Sequence, residues 1–293
     1  MNKILLVILY FFLDSISYGQ TFERTSGSTE NDQGNQVLTT NDCNYAIIGN
    51  YGLTGGIYLI KVDTSGNTIW QKSYDPPSIW YYHYAYSFRQ TSDSGFVIAS
   101  NIVYTNGTGS NICLIKTNSI GDTIWTKYYG GPSPGYYIAV ARGIILISDN
   151  GVAMIGTEVG STNKNVFLIK TDSLGNVQWA NYYGGTNDDE GYSLKQTDDN
   201  GFIIAGYTAS VGQGGWDVYL IKVGTLGNLQ WTKTYGGNRY EIANHVELTN
   251  DDGFILTGYT SGYGIGTIYD EDLFLMKTDS LGNGLWTNVY GAD

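Results

Sequence analysis

Basic residues are scarce in this 293-residue chain: 15 Lys and Arg stand against 27 Asp and Glu, for a formal net charge of −12. A surface this acidic repels phosphate backbones and anionic lipid, so nucleic acid and membrane-surface partners are not expected. Histidine is nearly absent, with only His83 and His245 at unrelated positions, which leaves little material for a histidine base or a metal centre. Two cysteines cannot form a disulfide framework. Cys43 falls at a turn and Cys113 within a strand-like run, so free thiols are expected. No long window carries apolar residues at helical spacing, which excludes a helical domain. The Gly-rich stretch Gly212–Gly215 lacks the following Lys and helix that a phosphate cradle needs.

Glycine and aromatics, by contrast, are plentiful: 40 Gly, 26 Tyr and 7 Trp beside 4 Pro. That composition suits many short strands joined by tight turns. Residues 1–20 read as a secretory signal peptide: Lys3 at the start, an apolar run from Ile4 to Leu13, and Ser17-Tyr18-Gly19 before Gln20. The run is too short to span a bilayer. The mature chain, 21–293, is therefore expected outside the cell, secreted or on the surface, with no membrane insertion after cleavage.

The segment Phe167–Trp179, FLIKTDSLGNVQW, recurs in five near-copies. Its Lys falls at Lys61, Lys116, Lys170, Lys222 and Lys277 and its Trp at Trp70, Trp125, Trp179, Trp231 and Trp286, always nine residues apart. An apolar half, a turn and an alternating half predict a β-hairpin. The Trp spacings of 55, 54, 52 and 55 residues mark five tandem units, about 21–74, 75–131, 132–185, 186–237 and 238–293. Each unit predicts four strands, A to D. An A–B turn holds Asp42, Asp93, Asp149, Asp199 or Asp251, followed two residues on by Asn44, Gly95, Gly151, Gly201 or Gly253, where a positive φ is expected. Few oxygens per turn argue against calcium there, and no metal or cofactor is expected.

Four-stranded antiparallel sheets repeated radially make an all-β fold, the β-propeller. One large aromatic at a fixed slot per unit reads as a packing device, so the five Trp are assigned to docking between blades. The repeated Lys reads as a structural slot pairing a nearby carboxylate.

The Gly-Asn-x-x-Trp unit after an Asp-containing turn resembles the tryptophan-docking motif of quinoprotein-type propellers, with one residue fewer between Asp172 and Gly175. The longer repeat, with DDNGFIIAGYT, DVYLIK and WTKTYGG in the fourth copy, resembles the tandem repeats of secreted Bacteroidetes-type propeller proteins. That resemblance implies surface export. The adjacent cysteine pair of the quinoprotein enzymes is missing, so dehydrogenase chemistry does not carry over. Phe22–Gly27 aligns with strand D, which leaves one strand surplus to a closed five-bladed ring. Two arrangements fit that count, a closed five-bladed ring or a truncated piece of a larger one, and the second is favoured.

Antiparallel order places the A–B and C–D turns on one face and the variable B–C and D–A connections on the other. The variable face holds Trp80, Tyr81, Tyr82 and Tyr84 in a D–A connection, Trp216 in a B–C loop, and Tyr104, Tyr263 and Tyr269 in further B–C loops. Trp80, Tyr81, Tyr82, Tyr84, Trp216 and Tyr263 are the candidate ligand contacts, suited to stacking on sugar rings or anchoring a protein. The acids Asp188-Asp189-Glu190 and Asp270-Glu271-Asp272 on that face are runs rather than opposed singles. The expectation is a monomeric, non-catalytic binding or adhesion module for glycan or protein, with no catalytic residues. A secreted polysaccharide-degrading enzyme or accessory module, with those acids as its centre, is the alternative; a structural spacer of a longer surface protein is a further one.

Overall fold

A computed structural model describes residues 31–52, 55–75, 81–104, 109–130, 138–159, 162–261 and 271–291. The leader, the Phe22–Gly27 segment, Trp80, Tyr263, Tyr269 and Asp270 lie outside the described residues.

Every strand in the first unit is short, and the chain folds back after each. β1 (Asp32–Thr39), β2 (Tyr45–Tyr51), β3 (Gly56–Val62) and β4 (Thr68–Tyr74) pair in order as an antiparallel meander. The pattern repeats in β5–β8 (81–129), β9–β12 (138–183), β13–β16 (189–235) and β17–β20 (241–290). A single parallel pairing, Ser110 with Ile138, joins the second and third sheets. These five four-stranded antiparallel sheets make a five-bladed β-propeller architecture. Among the described residues, sheets pack in chain order, each first strand lying across the preceding sheet, and no packing of like extent joins the fifth to the first.

The nine-residue interval has a direct cause. Lys61 and Trp70, Lys116 and Trp125, Lys170 and Trp179, Lys222 and Trp231, and Lys277 and Trp286 are ladder partners on strands three and four of their sheets. A bulge follows each pair at the turn, so an inserted residue would move the indole to the other face. Each Lys then reaches over to the A–B turn and pairs with its Asp at 2.6–2.9 Å: Lys61 with Asp42, Lys116 with Asp93, Lys170 with Asp149, Lys222 with Asp199, Lys277 with Asp251.

The positive φ of the A–B turn falls one residue earlier than expected, on Cys43, Ser94, Asn150, Asn200 and Asp252, at 59–62°. The glycine that follows has a different reason. A Cβ at Gly95, Gly151, Gly201 or Gly253 would run into the carbonyl oxygen of Thr117, Thr171, Val223 or Thr278. Close approach of two backbones, rather than handedness, selects the residue there.

Four apolar clusters fill the four gaps between consecutive sheets. Trp70, Trp179 and Trp231 place their indoles 5.9–6.1 Å from Phe96, Phe202 and Phe254 of the following sheet, and Trp125 packs in the cluster that holds Val152. The same indoles lie over the C–D turn of the next sheet: a Cβ at Gly121, Gly175, Gly227 or Gly282 would fall 2.8–2.9 Å from the ring. These glycines also have φ of 74–82°, so two constraints meet at one position. The hydroxyls of Tyr74, Tyr129 and Tyr183 donate to the carbonyls of Gly121, Gly175 and Gly227 at 2.6–2.7 Å, and Tyr235 to Gly282 likewise. Trp286 differs: it is 44% exposed.

Both cysteines are free, Cys43 exposed and Cys113 buried, and burial pushes the Cys113 thiol up to about 12 against a hydrogen bond from Ser100.

Candidate functional site

On the variable face, strand ends from the third, fourth and fifth sheets converge. The second residue of strand β13 (Asp189–Gln196) is Glu190, which is 4% exposed. A buried carboxylate needs compensating partners, and this one has five. Its oxygens accept from Arg142 Nη2 at 3.0 Å, Lys164 Nζ at 2.6 Å, Tyr207 at 3.0 Å, Tyr192 at 3.1 Å and Thr157 at 3.4 Å. Arg142, Thr157 and Lys164 come from the third sheet, and Glu190, Tyr192 and Tyr207 from the fourth. Burial raises the Glu190 pKa, but the hydrogen bond and charge of Lys164, the Tyr207 hydroxyl and the Arg142 charge outweigh it and hold the group below the usual carboxylate range. Glu190 is thus an anion at neutral pH and organises the cations around it. Burial and the Glu190 charge push the Tyr192 and Tyr207 phenols up, so both stay donors.

The rings continue outward from this cluster. Arg142 lies 5.2 Å above the Tyr192 ring, Tyr207 stacks on Trp216 at 4.7 Å, and Trp216 meets Tyr240 edge-on at 5.1 Å. Tyr240 is exposed and Trp216 half-buried, so the series ends in a ledge open to solvent. The Glu241 amide donates to the Trp216 carbonyl at 2.7 Å and ties the ledge together.

Beside the two ledge rings stand the next residues in the chain, Asp217 and Glu241, both almost fully buried. They face one another closely: a Cβ at Gly236 would strike both Asp217 Oδ1 and Glu241 Oε2. Burial and the Glu241 charge push the Asp217 pKa up against the donating Gln213 amide. Each of the two carboxyls also accepts from a loop amide, Asp217 from Gln213 and Glu241 from Gly237, both at 2.9 Å, so together they form an acidic pair beside the ledge. Glu241 also borders a cavity of about 340 Å³ between the fourth and fifth sheets, lined by Val218, Tyr235, Phe274, Met276 and Val289. The corresponding gap between the second and third sheets holds only about 10 Å³, with Glu158 and Tyr182 in the positions of Thr260 and Val289.

Of the residues expected to bind ligand, Trp216 sits in this site. Tyr82 and Tyr84 do not: they belong to strand β5 (Tyr81–Gln90) of the second sheet, where their rings stack at 6.2 Å. Tyr81 is in the same strand, so these three are strand rather than loop residues, as Tyr104 is in β6 (Phe96–Tyr104). Tyr favours a pleated, half-buried surface, and the ladder simply extends through it. The acid runs separate into distinct duties. Asp188 accepts from the Lys164 amide, Asp189 from the Gly185 amide and Ser210 hydroxyl, and Glu190 holds the cations. Asp272 is buried against Gly291 and Glu271 is exposed. Sequence reasoning missed Tyr207, Tyr240, Asp217 and Glu241. The available signal was Asp217 at a strand opening where the second and third units have Asn111 and Asn165. No group of three or more His, Cys, Asp or Glu able to hold a metal ion occurs among the described residues, and no helix there is long and apolar enough to cross a membrane.

No protein-family model and no curated protein matches this sequence. Solved structures with a similar arrangement of sheets include a DUF4221 family member from Bacteroides vulgatus, 10% identical, covering 92% of this chain and 84% of that one, with a TM-score of 0.46. A GH43 β-1,3-galactosidase is 10% identical over 89% of this chain and 93% of its own, TM-score 0.44. An N-acetylgalactosamine deacetylase from F. plautii, solved with blood group B trisaccharide, is 12% identical over 89% and 87%, TM-score 0.44. Likeness at this level concerns architecture alone. It nevertheless corrects one expectation, that the chain is not an enzyme: similar sheet arrangements include a glycosidase and a deacetylase, so the fold gives no ground for setting catalysis aside.

Proposed function

We propose that this protein is a secreted or surface β-propeller that takes up glycan on its variable face, with a sugar ring placed on the Trp216–Tyr240 ledge. The observation that carries the reading is that ledge: an indole fixed from behind by Tyr207 and beside an exposed phenol, with charged and hydroxyl groups within one side chain's reach. Aromatic faces suit the apolar faces of sugars, and rigid rings lose little entropy on binding. A glycan array on the purified chain tests this. Binding that falls at least about tenfold in Trp216→Ala and Tyr240→Ala, the loss of roughly 1.4 kcal/mol, supports the reading; unchanged binding in both removes it.

A second reading, glycoside cleavage, is favoured by Asp217 and Glu241. Two carboxyls flanking a sugar bond are the usual apparatus for that reaction, and their separation sets its stereochemistry. A hydrolysis screen in which Asp217→Asn and Glu241→Gln abolish turnover without abolishing glycan binding would establish it. Turnover in neither the natural chain nor its variants, on glycans that bind, would reject it.

A further inference from the structure

Between the fourth and fifth sheets the packing leaves room that the second and third sheets do not. At matching places the two junctions hold Thr260 and Val289 in one and Glu158 and Tyr182 in the other. Two short side chains in place of two long ones enlarge the space from about 10 Å³ to about 340 Å³. Packed interiors hold few voids larger than a water molecule, so a space of this size departs from the rest of the core. It is a cleft rather than a sealed void. Tyr235, in its wall, is half-buried, where Tyr74, Tyr129 and Tyr183 in the same slot are at 7–8%. Its lining residues come from β15–β20 and the glycine after β16, Gly236.

The cleft continues the ledge along two stretches of chain. Trp216 is followed by Asp217 and then by Val218 in the wall, and Tyr240 is followed by Glu241 at the border. The walls are mostly apolar, and Val218, Phe274 and Met276 are buried in them. An apolar cavity of about 150 Å³ is enough to take benzene, and sites for small molecules usually measure about 300–1,000 Å³. The rings of Tyr235 and Phe274 suit an aromatic guest, met edge-on or offset. At the border the Glu241 carboxylate accepts from the Thr260 hydroxyl at 3.1 Å and the Gly237 amide at 2.9 Å. A carboxylate has about four acceptor sites, so a hydroxyl on the ring would find an acceptor there as well.

We infer that this cleft binds an aryl group and that the sugar on the ledge carries it, so that the ligand is an aryl glycoside or an aromatic ester of a glycan. The sugar half of the inference rests on the ledge proposed above; the aryl half rests on the cleft alone.

Nuclear magnetic resonance of the full chain, with 13C in the methionine methyl groups, tests the two halves separately. Met276 lies in the cleft, and Met154, packed in the second–third junction, is the internal control. Millimolar phenol is expected to shift the Met276 methyl through its ring current and to leave Met154 in place. For a sugar that binds on the array, the phenyl glycoside is expected to bind at least about tenfold more tightly than the methyl glycoside, as burial of one ring allows. Val289→Tyr, which supplies the ring that Tyr182 supplies in the second–third junction, and Val289→Phe should abolish that gain and the Met276 shift while methyl glycoside binding stays unchanged. Val289 is only half-buried, and an unmoved Met154 signal shows that the fold persists in both variants. Trp216→Ala weakens both glycosides. Equal affinity for the two glycosides, a gain that survives both Val289 variants, or a Met276 methyl that phenol leaves in place overturns the inference and leaves the ledge standing. A Met276 shift with phenol, when no glycoside binds, removes the ledge and supports the aryl site by itself.

Discussion

The two faces of this molecule use the same residue types for opposite ends. On the turn face, every unit uses its Asp to pair its own Lys, and the C–D glycines of the second to fifth units lie beneath the preceding indole. On the variable face the corresponding positions differ from unit to unit: the pair Asn165 and Asp189 beside Gly184 becomes Asp217 and Glu241 beside Gly236. The repeated positions carry the packing, and the candidate site lies where the units depart from one another.

Several measurements can break or sharpen that contrast. The largest effect is expected for Trp231→Ala, which empties part of the fourth junction and costs about 3 kcal/mol in urea unfolding, while Trp216→Ala costs well under half as much and takes glycan binding instead. Equal losses of stability would erase the distinction between the two faces. Next is Glu190→Gln, which leaves Arg142 and Lys164 facing a neutral group; removing one partner of a buried charge cluster, softened here by the partial exposure of both cations, costs about 2 kcal/mol. A variant as stable as the natural chain would show that the cluster is not held by charge.

Gly175→Ala should cost about 1–2 kcal/mol, since the new methyl meets the Trp125 ring at a left-handed φ.

Acid should act on the turn face. Burial notwithstanding, Lys116 and Thr91 hold Asp93 at about 2, and Lys222 and Thr197 do the same for Asp199; at Asp251 the Thr249 hydroxyl and then Lys277 bring the value to about 2. The unfolded chain binds protons nearer pH 3.9, so it takes them up first as pH falls. The stability these pairs contribute is complete above about pH 4 and is lost as pH drops toward about 2. Urea midpoints followed through that window should fall less steeply in Lys222→Met than in the natural chain; identical slopes would show the pair contributes nothing. The smallest effect belongs to Trp286→Ala, expected within about 0.5 kcal/mol for the isolated chain, because its ring is packed against so little.

The sheets were legible in the sequence because their determinants are local and repeated. A nine-residue Lys–Trp interval is a ladder register, and the Asp–Lys link lies within a single unit. The site was legible only in part. Trp216 stands out because it breaks the Trp period, but its neighbours Tyr207 and Tyr240 are two among 26 tyrosines. Arg142 and Glu190 meet across two sheets, 48 residues apart, and nothing in either unit alone indicates that contact. The exchange of Asn for Asp at 217 is small chemically and becomes telling only once Glu241 is seen beside it. The separate duties of Asp188, Asp189 and Glu190 could not be read from the run, because adjacent residues in a strand point to opposite faces, a separation that the bare sequence hides.

The contrast between the two thiols provides a clock for the second sheet. A reagent that alkylates thiolate finds Cys43 at once, but reaches Cys113 only when its strand parts from its neighbours, since the native sulfur is both covered and kept protonated. Labelling of the second sulfur therefore counts openings of that blade, and comparing its rate with loss of the whole fold would reveal whether blades separate one at a time or together.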